Sequence, residues 1–414
     1  MNSNNLKVDD SVNPAKETKG ESQSRITPWQ GVALIFGTNI GAGILSLPYA
    51  GRNGGFLALF IALAIAGILT TLSMMYVAEV SLRTGKPLQL SGLAEQYLGH
   101  WGRWLVFAAI AVNGTGALIG YAAGSGELLE NLLGIPPTIG TLLFFALGTF
   151  IMYKGLEATG VAEAAITIAM AVIVVILVLW TFIGPGIEFE NLWIMRPYFI
   201  IPIMNLAVFT FMAQYVVPEL ARGMRDKHPE KIVSTIIGGM VATGITLAAV
   251  PFAALGLMGT NVSEVVTVSW GEELGPIAYY LANLFALFAM MTSFLAIGYT
   301  TMRNVLDIFH WPQRGWQRGV AVAMTVGLPL IITFAGFGGF VSALSYAGGI
   351  AGVVMSIIPV MLLHAARKHG DRNPEWSLGW TAHPIFQATI IIVYGLAFLY
   401  SIGSIFGIVP AGWA

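Results

Sequence analysis

The sequence predicts an all-α integral membrane protein of about eleven transmembrane helices, and three observations predict it. Hydrophobic residues make up 56% of the 414-residue chain and charged residues only 10%, where an ordinary soluble chain is roughly a quarter charged. That much apolar surface calls for lipid as its solvent. Apolar stretches of about 20 residues, the length that crosses about 30 Å of hydrocarbon, recur along the whole chain. Lysine and arginine fall between them almost entirely on one side, as the positive-inside rule expects.

The stretches lie near 30–51, 55–80, 103–126, 137–153, 160–184, 199–220, 231–256, 276–303, 318–337, 340–364 and 384–409. The ninth and tenth are parted only by the turn Gly336-Phe337-Gly338-Gly339. With the N-terminus inside, the inner segments collect all of the 20 Lys and Arg except Arg52 and Arg196. This predicts a cytoplasmic N-terminus and an outer C-terminus in a prokaryotic inner membrane. Residues 1–28 read as a polar, disordered cytoplasmic tail without the apolar run of a cleavable signal. Between 83 and 102, Leu88, Leu90, Leu93, Ala94, Tyr97 and Leu98 among polar residues predict a short amphipathic helix at the inner surface. Gly116, Gly120 and Gly124 give the third span a small-residue face. It reads as internal packing rather than a dimer contact, so the chain is expected to work as a monomer.

The first five spans (29–184) and the next five (199–364) each contain an odd number of helices, so the second block enters with opposite orientation. This is the 5+5 plan of inverted-repeat secondary transporters, whose sites lie where helices are discontinuous. Residues 365–414 supply an inner loop and the eleventh helix. A net charge of −1 without a basic stripe argues against nucleic acid, and the absence of cysteine excludes disulfide and thiol chemistry. H-E-x-x-H, a phosphate-cradling G-x-x-x-x-G-K-[ST] and a Ser-His-Asp set at membrane depth are missing, which argues against an enzyme or a nucleotide-driven pump.

The first span carries the sharpest local signal: Gly37, Gly41 and Gly43 beside Thr38 and Asn39 in an apolar run. Either the glycines let another helix approach closely, or the helix unwinds around a cavity. Unwinding would free amide hydrogens for a carboxylate and carbonyls for an ammonium. Pro48 is expected to help end or kink this helix. The sixth span has its own candidate break at Thr210-Phe211-Met212-Ala213-Gln214, between Pro202 and Pro218, with Phe209 and Phe211 as possible pocket walls. In the eighth span Thr292-Ser293, one turn after Ala289, either forms an oxygen cage for a small hard cation or bonds back to its own helix. Among the scarce acids, Glu163 is the candidate for carrying a proton, against the alternative of a solvated helix end.

Gly37-Thr38-Asn39-Ile40-Gly41-Ala42-Gly43-Ile44-Leu45-Ser46-Leu47-Pro48 resembles the first-helix signature of the hydroxy and aromatic amino acid permeases, of tryptophan/tyrosine permease type. So do Leu93–Gly99, Gly120–Leu129 and Ala289–Leu295, while Ala213-Gln214 departs from the family's usual Gly-His step. The resemblance runs from about residue 28 to the C-terminus and extends to the amino acid/auxin permeases. It implies the eleven-helix, 5+5 fold of the amino acid–polyamine–organocation superfamily, with discontinuous helices 1 and 6 and uptake by alternating access. It also implies that the Thr38–Ile44 backbone (Thr38, Asn39, Ile40, Gly41, Ala42, Gly43, Ile44) and Phe209–Gln214 hold the substrate's amino and carboxyl groups. Asn113 and Ala117 are further pocket positions. Positions matching the sodium site of sodium-coupled relatives are Gly37, Ile40, Ala289, Thr292 and Ser293. Permeases of the nearer family are regarded as proton-coupled with similar residues; the basic side chain that replaces sodium in some of them has no counterpart in span 5. The expectation is therefore an ion-coupled symporter, Na+ or H+, for an amino acid with a sizeable apolar or aromatic side chain, without an organic cofactor. The alternative is a passive channel, which would need a continuous polar path.

Overall fold

The computed structural model describes residues 26–154, 160–410 and 413, with backbone alone over 160–167. The tail up to Arg25 lies outside the described residues, and so does the side chain of Glu163. Among the described residues, nine helices are long and apolar enough to cross a membrane, and a pair bent by 56° makes a tenth. The 24-residue helix Gly160–Ile183 supplies the eleventh.

The bent pair is the first span. Helix α1 (Pro28–Asn39) starts from a capping box between Thr27 and Gln30, with Pro28 in its first turn. It stops at Asn39, where Ile40 turns to extended backbone, and α2 (Gly43–Gly51) restarts after Ala42. Pro48 does not end this span: it sits inside α2, which continues to Gly51. Helix α3 (Phe56–Arg83) follows, then the short amphipathic α4 (Leu90–Leu98), with Leu90, Leu93 and Ala94 buried. Helices α5 (His100–Leu133), α6 (Pro137–Lys154) and α7 (Gly160–Ile183) complete the first block.

After the short α8 (Phe189–Leu192), the sixth span is broken as well. Helix α9 (Ile200–Thr210) ends at Phe211, a 3-10 turn covers Gln214–Val216, and α10 (Val217–Met224) resumes with Pro218 in its first turn. Then come α11 (Ile232–Met258), a nine-residue α12 (Val266–Leu274), α13 (Pro276–Ile308), α14 (Trp316–Phe334), α15 (Phe340–His369) and α16 (Pro384–Ile405). The ninth and tenth spans are separate helices. Gly336 and Gly338, at φ of 81° and 91°, make the turn between them in a region that other residues rarely adopt.

Helix α5 runs through the middle of the bundle, packed on α13, α14 and α15. Its glycine face serves that packing: Gly116 lies against Ala343 and Ala347, Gly120 against Leu344, and Gly124 against Met290 and Phe340. Helix α15 also packs on α9, and α9 on α2, so both broken spans are held against continuous helices.

Candidate functional site

The two breaks meet. A Cβ added to Gly43 would lie 2.7 Å from Thr210 Cγ2 and 3.4 Å from the Phe209 ring, so α2 begins directly against the end of α9. One added to Gly41 would overlap Ser293 Oγ on α13. Ser293 in turn lies beside the phenol of Tyr121 on α5, a side chain buried in the bundle. Four chain segments therefore converge at one point. Two of them end there with non-helical backbone, which leaves peptide groups outside the α-helical ladder at the depth of a membrane.

Tyr121 was not singled out as a site residue by the sequence reading, although it lies in the quoted stretch Gly120–Leu129. The available signal was its phenol four residues after Ala117, on the same helix face. Ala117 itself is fully buried beneath it.

The other predicted residues spread around this centre. Ile40, Ala42 and Ile44 are buried in the break. Asn39 turns away, with its amide 3.5 Å from Met240 Sδ on α11. The Thr38 hydroxyl donates to Leu34 O at 2.7 Å. Gly37 and Thr38 end an apolar cleft of about 810 Å³ that runs along α1 from Trp29, between α7 and α11. Phe209 packs at Gly43 and Gly348, but Phe211 does not wall the same pocket. The chain turns by part of a helical revolution between them, and the Phe211 ring lies over Gly67 of α3 and near Gly244 of α11. Met212 instead faces Asn113 across a small chamber.

Gln214 and Ala213 are buried on the α15 side of the break. Gln214 Nε2 donates to Ser356 Oγ at 3.2 Å, Ser356 lies beside the Tyr394 phenol, and that phenol meets Thr70 Oγ1. Nine residues earlier in the same span, Asn205 Nδ2 donates to Ser401 Oγ at 2.6 Å. Two polar anchors thus fasten the sixth span to α16, because each buried amide needs a partner where water is scarce.

At the predicted cation position, the Thr292 hydroxyl donates back to Phe288 O at 3.0 Å and Ala289 O at 3.1 Å, so the back-bonding alternative holds for its hydrogen. The lone pairs of the Thr292 hydroxyl are still available, whereas Ala289 O already accepts from that hydroxyl as well as within its own helix. Ala289 is fully buried, and Ser293 directs its hydroxyl to Tyr121 and Gly41. The donors gathered here are all oxygen, the type that suits a hard cation.

Against known proteins, a model of the tryptophan/tyrosine permease family matches residues 25–401. The tyrosine-specific transport system 1 of Haemophilus influenzae is 24% identical over 354 residues, covering 81% of this chain and 87% of that protein. The tyrosine permease of Enterobacter agglomerans is 23% identical, covering 92% of this chain and 97% of its own length. Among solved structures, that of MhsT in complex with L-phenylalanine superposes with a TM-score of 0.65 at 15% identity, over 90% of this chain and 97% of that one, a likeness of fold.

Proposed function

The chain belongs to the tryptophan/tyrosine permease family, and on that premise we propose that it is an ion-coupled symporter of an aromatic amino acid, working by alternating access. The observation that carries this reading is the meeting of two helix breaks at Gly41–Gly43 and Phe209–Thr210, beside Ser293 and Tyr121. Broken backbone supplies amide hydrogens to a carboxylate and carbonyls to an ammonium, the parts common to all amino acids. The side chain of the substrate then extends toward Met212, an adaptable apolar wall. Tyrosine enters as the first substrate to test, because the relatives above carry it in their names.

In this reading the blocks 29–184 and 199–364 are the two inverted repeats, and 365–414 adds the inner loop and last helix. The N-terminus is cytoplasmic in a bacterial inner membrane, with the Lys and Arg residues inside, and the unit of transport is the monomer. Gly37, Ile40, Ala289, Thr292 and Ser293 would hold the coupling cation, for which we favour Na+ over H+. The span Gly160–Ile183 contains no lysine to stand in for it. Uptake into liposomes tests the function: labelled tyrosine should accumulate against its own gradient, saturably, when an inward ion gradient is imposed. Linear, gradient-insensitive flux would leave the passive channel as the better reading. For the ion, Thr292→Ala with Ser293→Ala should abolish sodium dependence, lowering uptake about tenfold or more, if two oxygen ligands worth roughly 1 kcal/mol each are lost. Unchanged sodium dependence in that double variant would sink the cation assignment.

A further inference from the structure

Near the sixth-span break lies a small chamber between α5, the break itself, α13 and α15. Its free space is about 10 Å³, room for about one water. The apolar walls include Met212, Met355 and Ile297. Tyr215 borders it too, in the sixth-span break. The chamber therefore lies about two helical turns along α5 and α13 from Tyr121 and Ser293.

Its two threonines share one property. Thr300 donates its hydroxyl hydrogen to Ala296 O at 2.9 Å, and Thr301 donates to Ile297 O at 2.8 Å. Both hydrogens are committed, which leaves oxygen lone pairs. Asn113 Oδ1 is buried and accepts no hydrogen bond. A carbonyl oxygen held in that way is destabilising unless something donates to it. The chamber is thus a small, mostly apolar space with an unpaired acceptor at Asn113 Oδ1, and its two methionines can rotate aside to admit a ring.

We propose that Asn113 is a specificity-determining residue, whose Oδ1 accepts the ring-borne hydrogen of an aromatic amino acid, a phenol O–H or an indole N–H. This rests on the symporter reading above and adds to it a discrimination against phenylalanine. A site built to meet a polar hydrogen rejects the analogue that lacks it, because the buried acceptor is then left unpaired.

The test is equilibrium binding to the purified full-length protein of five ligands: tyrosine, phenylalanine, O-methyltyrosine, tryptophan and 1-methyltryptophan. Tyrosine or tryptophan should bind about tenfold tighter than its donor-blocked analogue, the value of one neutral hydrogen bond made in a dry site. The pair showing the loss identifies which hydrogen is read, and phenylalanine controls for the bulk of the added methyl group. In Asn113→Leu the ratio should fall to about one, through weaker binding of the donor ligand, with phenylalanine held or improved. Asn113→Asp, which keeps an acceptor, should retain the preference. Equal binding of donor and blocked ligands to the wild type overturns this inference while leaving the symporter reading intact, and it needs no variant to fold. An unchanged ratio in Asn113→Leu overturns it as well. Failure of all five ligands to bind saturably overturns the parent reading and this one together.

Discussion

Glu79→Ala should lower stability more than any other single charge removal in this protein, by about 3 kcal/mol, the lower end of what breaking a buried ion pair costs. Glu79 is 0% exposed near the end of α3. Its carboxylate accepts from Arg83 Nε at 2.8 Å, from Arg367 Nε and NH2 at 2.9 Å each, and from the Leu378 amide at 2.7 Å. Removing it leaves two guanidiniums facing each other across an empty carboxylate position and an amide without an acceptor. The estimate stays at the lower end because the arginine side chains keep 18% and 37% of their exposure, so water takes up part of the loss. Arg367→Ala removes two of the four bonds and should cost less, and Arg83→Ala, which removes one, least. Thermal melting of the detergent-purified variants checks that order. Equal melting of Glu79→Ala and wild type would mean the cluster adds nothing to stability.

The same cluster joins the ends of α3 and α15 to the following loop. Asp371 of that loop accepts from Gln96 at 2.7 Å and from the Gly85 amide at 3.2 Å, and these bonds hold its carboxyl below its usual pKa. Helix α4, which bears Gln96, is thereby fastened to the same corner. Helices that must rock past one another during alternating access are here joined by charge at one end only. The far ends of the bundle have no such arginine–glutamate cluster among the described residues.

What was legible in the sequence follows from what each feature depends on. The spans were legible because length and hydropathy are local, and so was the break after Asn39, where three glycines in seven residues weaken an apolar helix. The second break was legible from its prolines. The short α8 and α12 are too short and too mixed to register as spans. The Tyr121–Ser293 contact, the Gln214–Ser356–Tyr394 chain and the Glu79 cluster join residues far apart in sequence, and no periodicity announces them. Glu79 in particular reads as a helix-end charge in water until Arg367 is folded against it. Phe211 was misdirected for a different reason: it follows the last helical residue, so helical spacing no longer predicts where its ring points.

Gly41→Ala and Gly348→Ala should fail in different ways, because the atoms they meet differ in freedom. At Gly348 an added methyl would overlap the carbonyl oxygen of Asn205, with the Phe209 amide nitrogen only 2.9 Å away. Those are backbone atoms of α9, so α15 and α9 would have to separate, at a cost of about 3 kcal/mol or more for overpacking that cannot relax. Little folded protein is expected. At Gly41 the main obstacle is one serine hydroxyl, which can rotate to another staggered position, while Ser293 Cβ at 3.3 Å has only to give slightly. The protein should fold and melt within a few degrees of wild type. Rotation, however, takes Ser293 from Tyr121 and pushes a methyl group into the gap between the first break and α13. Tyrosine uptake should then fall at least tenfold, as the loss of about 1.4 kcal/mol of binding requires. Adding Ser293→Ala to Gly41→Ala restores the space without the hydroxyl, which separates the two effects. Recovery of uptake in the double variant would assign the defect to crowding; continued loss would assign it to the hydroxyl. Wild-type uptake by Gly41→Ala alone would show that the substrate does not pass this point.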